Sequence, residues 1–266
     1  MIYDLQKASL VKRFSAFLLD FILLAMLFTG AMLAVSSITN YDSYFNKLEE
    51  RLTTIQENYN IPEIEKNHSI YFNEFQYMTE DERTTLPEEV LEAYSKCTEA
   101  MSKDTVTIKL YETIMSLSIL IVSTSMLVAF LILEFLIPLL FKNGQTIGKK
   151  VFSIAVMRKD GIKISPMVLF IRAILGKYTV GTMVPIVMLI MLLFGSSPIA
   201  SIAIILLILI LQVVLLFTTK TRSLIQDYLA STVVVDLQSQ MIFDSIEAKQ
   251  EYQLRLHKEV VDKANY

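Results

Sequence analysis

The sequence predicts an all-α membrane protein. Four transmembrane helices are expected, with a cytoplasmic amphipathic segment, a short β-hairpin and an extracytoplasmic helical insert. Three observations predict this. Of the 266 residues, 53% are hydrophobic and only 19% are charged. The apolar residues lie in four long blocks, near or above the roughly 17–25 residues that cross a bilayer as a helix. Charge is segregated: residues 40–110 hold 15 acids and 7 bases, whereas residues 142–177 hold eight bases and one acid.

Residues 1–38 form the N-terminus and first span. Arg13 opens an apolar run that continues to Ile38 and contains Asp20. The 25 residues from Phe14 to Ile38 exceed the roughly 7–15 apolar residues of a signal peptide, and Asp20 interrupts them, so an uncleaved spanning helix is expected. An ionised carboxylate at that depth costs roughly 2.5–3.5 kcal/mol on insertion scales. Such a residue is retained when it is paired, protonated or facing a wet cavity.

Residues 39–110 are the acidic insert. Tyr44, Leu48, Leu52, Ile55 and Tyr59 recur at helical spacing. An aromatic-containing, loop-like middle follows over residues 60–85. Leu86-Pro-Glu-Glu89 then starts a second helix, with proline and acids in the first turn. From there helix formers run into the next apolar block without a breaker. The insert therefore reads as a helical hairpin whose second arm continues into span two.

Residues 111–235 are the membrane core. The second block, 114–141, contains Glu134 and Pro138, the latter placed to loosen the last turns. In the basic loop 142–177, residues 151–157 and 162–164 flank Arg158-Lys-Asp-Gly161, a hairpin signal. Ser165-Pro166 caps an amphipathic helix expected to lie in the interface through about Leu175. The third and fourth blocks, 178–194 and 199–217, are joined by Gly195-Ser-Ser-Pro198, short enough to force an antiparallel pair. Gly176 and Gly181 are expected to permit close packing or a bend. Residues 236–266 form a charged cytoplasmic tail, helix-prone and sparse in apolar positions.

Four spans put both termini on one side. The basic excess flanks the spans on that side and the insert is acidic, so both termini and residues 142–177 are expected in the cytoplasm. Anionic lipid head groups are the expected partners of the basic loop. The loop lacks the interleaved aromatics of a nucleic-acid surface. Tyr and Phe, at 12 and 15 copies, must supply any interfacial belt in the absence of Trp.

Catalytic and metal motifs are absent: no His-Glu-x-x-His, no Gly-x-Ser-x-Gly, and a single cysteine, Cys97. Gly144-Gln-Thr-Ile-Gly-Lys149 has its glycines too close together for a phosphate loop and no Ser or Thr after the lysine. No enzyme activity, cofactor or metal is expected. Candidate chemistry rests on Arg13, Asp20, Glu134 and Asp227. Arg13 and Asp20 are two turns apart, ~10.5 Å along the axis, so each looks to another segment. Asp227 is the natural partner for Arg13. The set reads equally as structural ion pairing or as an ion or proton path through Asp20 and Glu134. Pro138 and Pro185 are either hinges or tolerated kinks.

These residues carry a resemblance. Lys12-Arg-Phe-Ser-Ala-Phe-Leu-Leu-Asp20 resembles the opening motif of the RDD family of bacterial membrane proteins. Gly144-Gln-Thr-Ile-Gly-Lys-Lys150 is similar to its Gly-x-Thr-x-Gly-Lys stretch, and Arg222-Ser-Leu-Ile-Gln-Asp-Tyr-Leu-Ala-Ser-Thr-Val-Val234 to its closing motif. The arginine and two aspartates that name the family fall on Arg13, Asp20 and Asp227. Glu134 and Arg172 lie where many members carry those types, and Gly144, Thr146, Gly148 and Lys149 are the loop's motif positions. Ser231 departs from the glycine common before Thr-Val-Val, and the insert is longer than usual.

The resemblance implies a bacterial cell-membrane protein of transport character, with cation/proton antiport proposed for some members. A small secondary transporter using the intramembrane acids is one expectation. With only four spans it is expected to work as a homo-oligomer. The alternative is a non-transporting membrane subunit or assembly protein that binds a partner through the outer insert.

Overall fold

Among the described residues, the apolar blocks and the two described arms of the polar insert fold as helices, and one two-stranded ribbon accompanies them. The computed structural model describes residues 6–59, 88–141, 143–194 and 198–264. The expected loop-like stretch 60–85, the Leu86-Pro87 helix start and the Gly195-Ser-Ser197 joint lie outside the described residues. Four helical segments are long and apolar enough to cross a membrane: Leu10–Thr39, Thr105–Phe141, Pro166–Leu189 and Pro198–Thr218. The chain divides into two compact units, residues 1–29 with 126–266, and residues 30–125.

The smaller unit contains α2 (Tyr41–Glu57) and α3 (Glu88–Lys103). Ile55, Cys97 and Met101 are buried together, with Leu52, Tyr59 and Ala100 packed against them. The sequence places no helix breaker between this arm and the second span, yet the helix is interrupted at Asp104, after which α4 (Thr105–Phe141) begins. The carboxylate itself makes the break. Asp104 Oδ2 accepts from the Thr107 N–H at 2.9 Å and from Thr107 Oγ1 at 2.7 Å, an N-cap arrangement. Arg51 grips the same carboxylate with Nε at 3.1 Å and Nη2 at 2.8 Å.

In the larger unit, α1 (Leu10–Thr39) and α7 (Pro198–Thr218) leave large apolar side chains uncovered, among them Phe14, Phe17, Met26, Leu207 and Phe217. That composition suits a lipid surface, where apolar exposure carries no hydrophobic cost. Pro166 opens a continuous helix, α6, over residues 166–194. The expected interfacial helix and the expected third span are therefore one element. Its end at Val184–Phe194 packs against α7.

The hairpin expected across residues 151–164 is reduced to a tight turn. Arg158 N–H bonds the Ile162 carbonyl at 2.9 Å, and Met157 bridges Lys163. Strand β1 (Ile154–Arg158) instead pairs antiparallel with β2 (Thr232–Asp236), with Val156 opposite Val234. Turn chemistry is visible locally, but a distant strand with two apolar faces wins the ladder. A two-stranded ribbon is marginal alone, and here both faces are covered. Ala8, Ala16, Ile154, Val156 and Val234 bury one side; Ala155, Met157, Val233 and Val235 bury the other. The ribbon thus seats the start of α1 against the short helices α5 (Ile147–Val151) and α8 (Ile225–Leu229) that carry the motif residues. The tail forms α9 (Ile246–Ala264), with Lys163 paired to Asp244 just before it at 3.0 Å.

Candidate functional site

Asp20, Glu134 and Asp227 are each buried, at 5%, 7% and 0% exposure. A buried carboxylate is costly unless hydrogen-bonded and paired, and each of the three is.

Asp20 is held by the Gly144–Lys149 loop. Thr146 caps α5 and accepts from the Lys149 N–H at 3.3 Å, while its hydroxyl donates to Asp20 Oδ2. Gly148 N–H donates to Asp20 Oδ1 at 2.8 Å. The glycine is required by the approach: a Cβ there would collide with the Ala16 carbonyl and lie 2.8 Å from Asp20 Oδ1. Gly144 has φ +60°, a left-handed position, and a side chain would meet Ile164 Cγ2 at 2.9 Å. The Gly-x-Thr-x-Gly-Lys stretch is therefore an acid-binding loop for the first span.

Asp227 joins the opposite ends of the chain. Its Oδ2 accepts from Arg13 Nη2 at 3.2 Å and from Leu224 N–H at 3.1 Å. Its Oδ1 accepts from Arg172, whose Nη1 also donates to Thr232 Oγ1 at 2.9 Å. Arg13 Nη1 reaches the Arg222 carbonyl at 2.6 Å, presented by a left-handed Arg222 with φ +49°. Gly176 of α6 lets α8 approach, since a Cβ would lie 2.6 Å from Gln226 Cα.

Glu134 is shared by two lysines. Lys177 donates to Oε1, and Lys149 Nζ stands 3.9 Å from Oε2. Lys149 Nζ also lies 3.3 Å from Thr146 Oγ1, so a chain of contacts runs Asp20–Thr146–Lys149–Glu134–Lys177. Burial, then the charge of Lys177, pushes the Lys149 ammonium down to about 7; Arg172 adds to this, while Glu134 and Asp20 oppose it.

Backbone geometry sets this cluster. Glu134 sits in a π-helical stretch of α4 (Leu131–Leu136), and Arg172 and Lys177 in another within α6 (Ile171–Met183). In an α-helix, residues five apart point about 140° from each other. With i→i+5 bonding, such as Val184 N–H to the Thr179 carbonyl, residues five apart come onto one side. Arg172 and Lys177 can thus both act on the buried acids. Each π stretch ends two residues before a proline, Pro138 or Pro185. Both prolines withdraw an N–H from the α-helical ladder.

Of the residues singled out in the sequence, Arg13 and Arg172 meet at Asp227, Thr146 and Gly148 meet Asp20, and Lys149 faces Glu134. Asp20 and Glu134 are not directly bonded; Thr146 and Lys149 stand between them. Lys177 was missed as a site residue, although a lone base five positions after Arg172 at the edge of an apolar block was its signal. A groove of about 200 Å³ at the end of α4 is lined by Pro138, Lys163 and Leu169 and does not include these acids. Among the described residues no group of three or more His, Cys, Asp or Glu gathers to hold a metal.

Residues 7–231 match the model of the RDD family. No curated protein and no solved structure matches the chain. With its motif residues gathered around three buried acids, and the match covering most of its length, the chain belongs to the RDD family.

Proposed function

We propose that the protein is a small secondary transporter of the bacterial cell membrane that couples monovalent cation movement to protons through the network of Asp20, Glu134 and Lys149. The observation that supports this is the coincidence of Glu134, Arg172 and Lys177 with two π-helical stretches. Such distortions forfeit regular α-helical bonding and occur frequently at functional sites. Intramembrane ionisable groups in turn commonly mark ion and proton paths. In this reading both termini and the basic loop face the cytoplasm, the loop meets anionic lipid, the acidic insert faces outward, and the protein works as a homo-oligomer. The arrangement with all three acids neutralised is an occluded state. No catalytic role is assigned.

The test is cation-driven proton flux in liposomes holding purified protein, compared with Asp20→Asn and Glu134→Gln. Flux abolished in both variants, with their folding retained, is expected. Undiminished flux in both overturns the reading.

A second reading has its own support. Asp20, Glu134 and Asp227 are each buried and bonded by protein groups, which also suits a rigid membrane subunit whose insert docks a partner. Here no flux occurs, and deleting the insert, residues 40–110, abolishes capture of that partner.

A further inference from the structure

Four bases gather where α1 begins and α7 ends. Lys7 precedes α1, and its Nζ donates at 2.8 Å to the carbonyl of Lys220, two residues past the end of α7. Arg13, in the first turn of α1, reaches the Arg222 carbonyl at 2.6 Å. The Arg222 charge stands close enough to act on that of Arg13. Of the four, Arg13 is neutralised by the buried Asp227, which Arg172 shares. Asp236, whose N–H bonds the Gln6 carbonyl, is taken by Lys12 at 2.5 Å. Lys7, Lys220 and Arg222 are exposed, and among the described residues none of them has an acidic partner.

The backbone of Arg222 is left-handed, with φ +49°, a conformation disfavoured for a residue with a side chain. The turn gives the Arg222 carbonyl to Arg13 and leaves the guanidinium exposed. Large apolar side chains lie within a few residues of these bases on both helices: Val11 and Phe14 on α1 and Phe217 on α7 are 76%, 64% and 72% exposed. The bases therefore stand where a lipid-facing apolar surface gives way to a polar one, the level of lipid phosphates.

We propose that Lys7, Lys220 and Arg222 form a head-group site for an anionic phospholipid, whose phosphate bridges the chain entering α1 and the chain leaving α7. The site is separate from the basic loop 142–177. It needs α1 and α7 to face lipid, and it stands whether or not the protein transports. Arginine offers a planar fork that matches phosphate oxygens. Lys7 spends one of its three donors on the Lys220 carbonyl and keeps two for the ligand. An anionic head group is favoured over a zwitterionic one because the excess charge of the patch has no acid to meet it.

The test is the thermal unfolding midpoint of the full chain in detergent, with phosphatidylglycerol or phosphatidylcholine added at equal concentration. Wild type should gain about 3 °C more from phosphatidylglycerol. Arg222→Gly removes the charge and the left-handed strain while leaving the carbonyl to Arg13. Its midpoint in phosphatidylcholine should equal or exceed that of wild type, and its phosphatidylglycerol gain should fall at least twofold. Lys7→Gln with Lys220→Gln should lose the gain to a similar degree, and decides the matter if Arg222→Gly does not fold. Lys258→Gln, an equal charge change on the tail helix, should keep the gain. A gain undiminished in both site variants, or lost as much in Lys258→Gln, overturns the inference. So does a gain reproduced in full by inorganic phosphate in phosphatidylcholine, which would mark a free-anion site.

Discussion

Asp20 and Gly148 are 128 positions apart, and the Gly148 backbone N–H points into the Asp20 carboxylate at 2.8 Å. The contact fastens the first span to the motif loop. Gly148→Ala introduces a methyl group against the Ala16 carbonyl and the carboxylate itself. Neither neighbour is the free end of a flexible side chain, so the loop must withdraw. A loss of about 1–3 kcal/mol is expected, read as a lower unfolding midpoint. Thr146→Val keeps the shape and removes the hydroxyl that bonds Asp20, with an expected cost of about 1.5–3 kcal/mol.

How much of this was legible follows from where the information resides. The four spans were readable because lipid selects on composition along the chain, residue by residue. Arg13 with Asp227 was readable as complementary charges expected on the same side of the spans, and the two pair. The acid-binding role of residues 144–149 was not, because backbone N–H groups carry no side-chain signature. Glu134 with Lys177 was hidden for another reason. Helical wheels assume i→i+4 geometry, and the π stretches before Pro138 and Pro185 rotate side chains away from it. The prolines were visible, but not the direction in which the helices would adapt. The strand partner of β1 was missed because a nearby Asp-Gly turn advertised a local hairpin, and the competitor lay beyond two further spans.

Asp227 neutralises two arginines, so removing its charge is more damaging than removing either arginine. Asp227→Asn leaves Arg13 and Arg172 facing each other in a buried site. A loss of about 3–5 kcal/mol is expected, the range for breaking a buried pair from one side. Arg172→Lys is not conservative, because one Nη1 serves both Asp227 and Thr232. The double variant Arg172→Met with Asp227→Asn should lose less than the sum of the singles, and a thermal double-mutant cycle checks this.

Ser231 carries a left-handed backbone with φ +51°, directly before β2. A side chain is disfavoured there, and glycine is not. The Ser231 carbonyl accepts from Lys159 N–H at 3.1 Å, a bond that substitution retains. Ser231→Gly is expected to raise stability by up to about 1 kcal/mol, net of the extra freedom of the unfolded chain. The unfolding midpoint should rise by about 2–4 °C. A fall would show that the serine side chain, rather than the backbone, decides the position.

Asp104 makes three contributions in the insert: it ends α3, caps α4 and binds Arg51. The hydrogen bond from Arg51, then those from Thr107, holds its carboxyl well below the usual carboxylate range. The native carboxylate therefore binds protons less readily than the unfolded one. Its contribution is fully present above the unfolded value of about 3.9 and is lost as pH falls below it. Cys97, buried between α2 and α3, reports whether the hairpin is shut. At neutral pH, maleimide should label Cys97 slowly in the wild type and several-fold faster in Asp104→Ala. Arg51→Ala should lie between them, since it removes the ion pair and leaves the cap. Hydrogen exchange in residues 41–57 and 88–103 should accelerate on going from pH 5 to pH 3 in the wild type, beyond the intrinsic pH dependence. In Asp104→Asn, which does not titrate, that excess should vanish. Equal labelling rates in all three proteins would mean that α2 and α3 are held together by their apolar contacts alone.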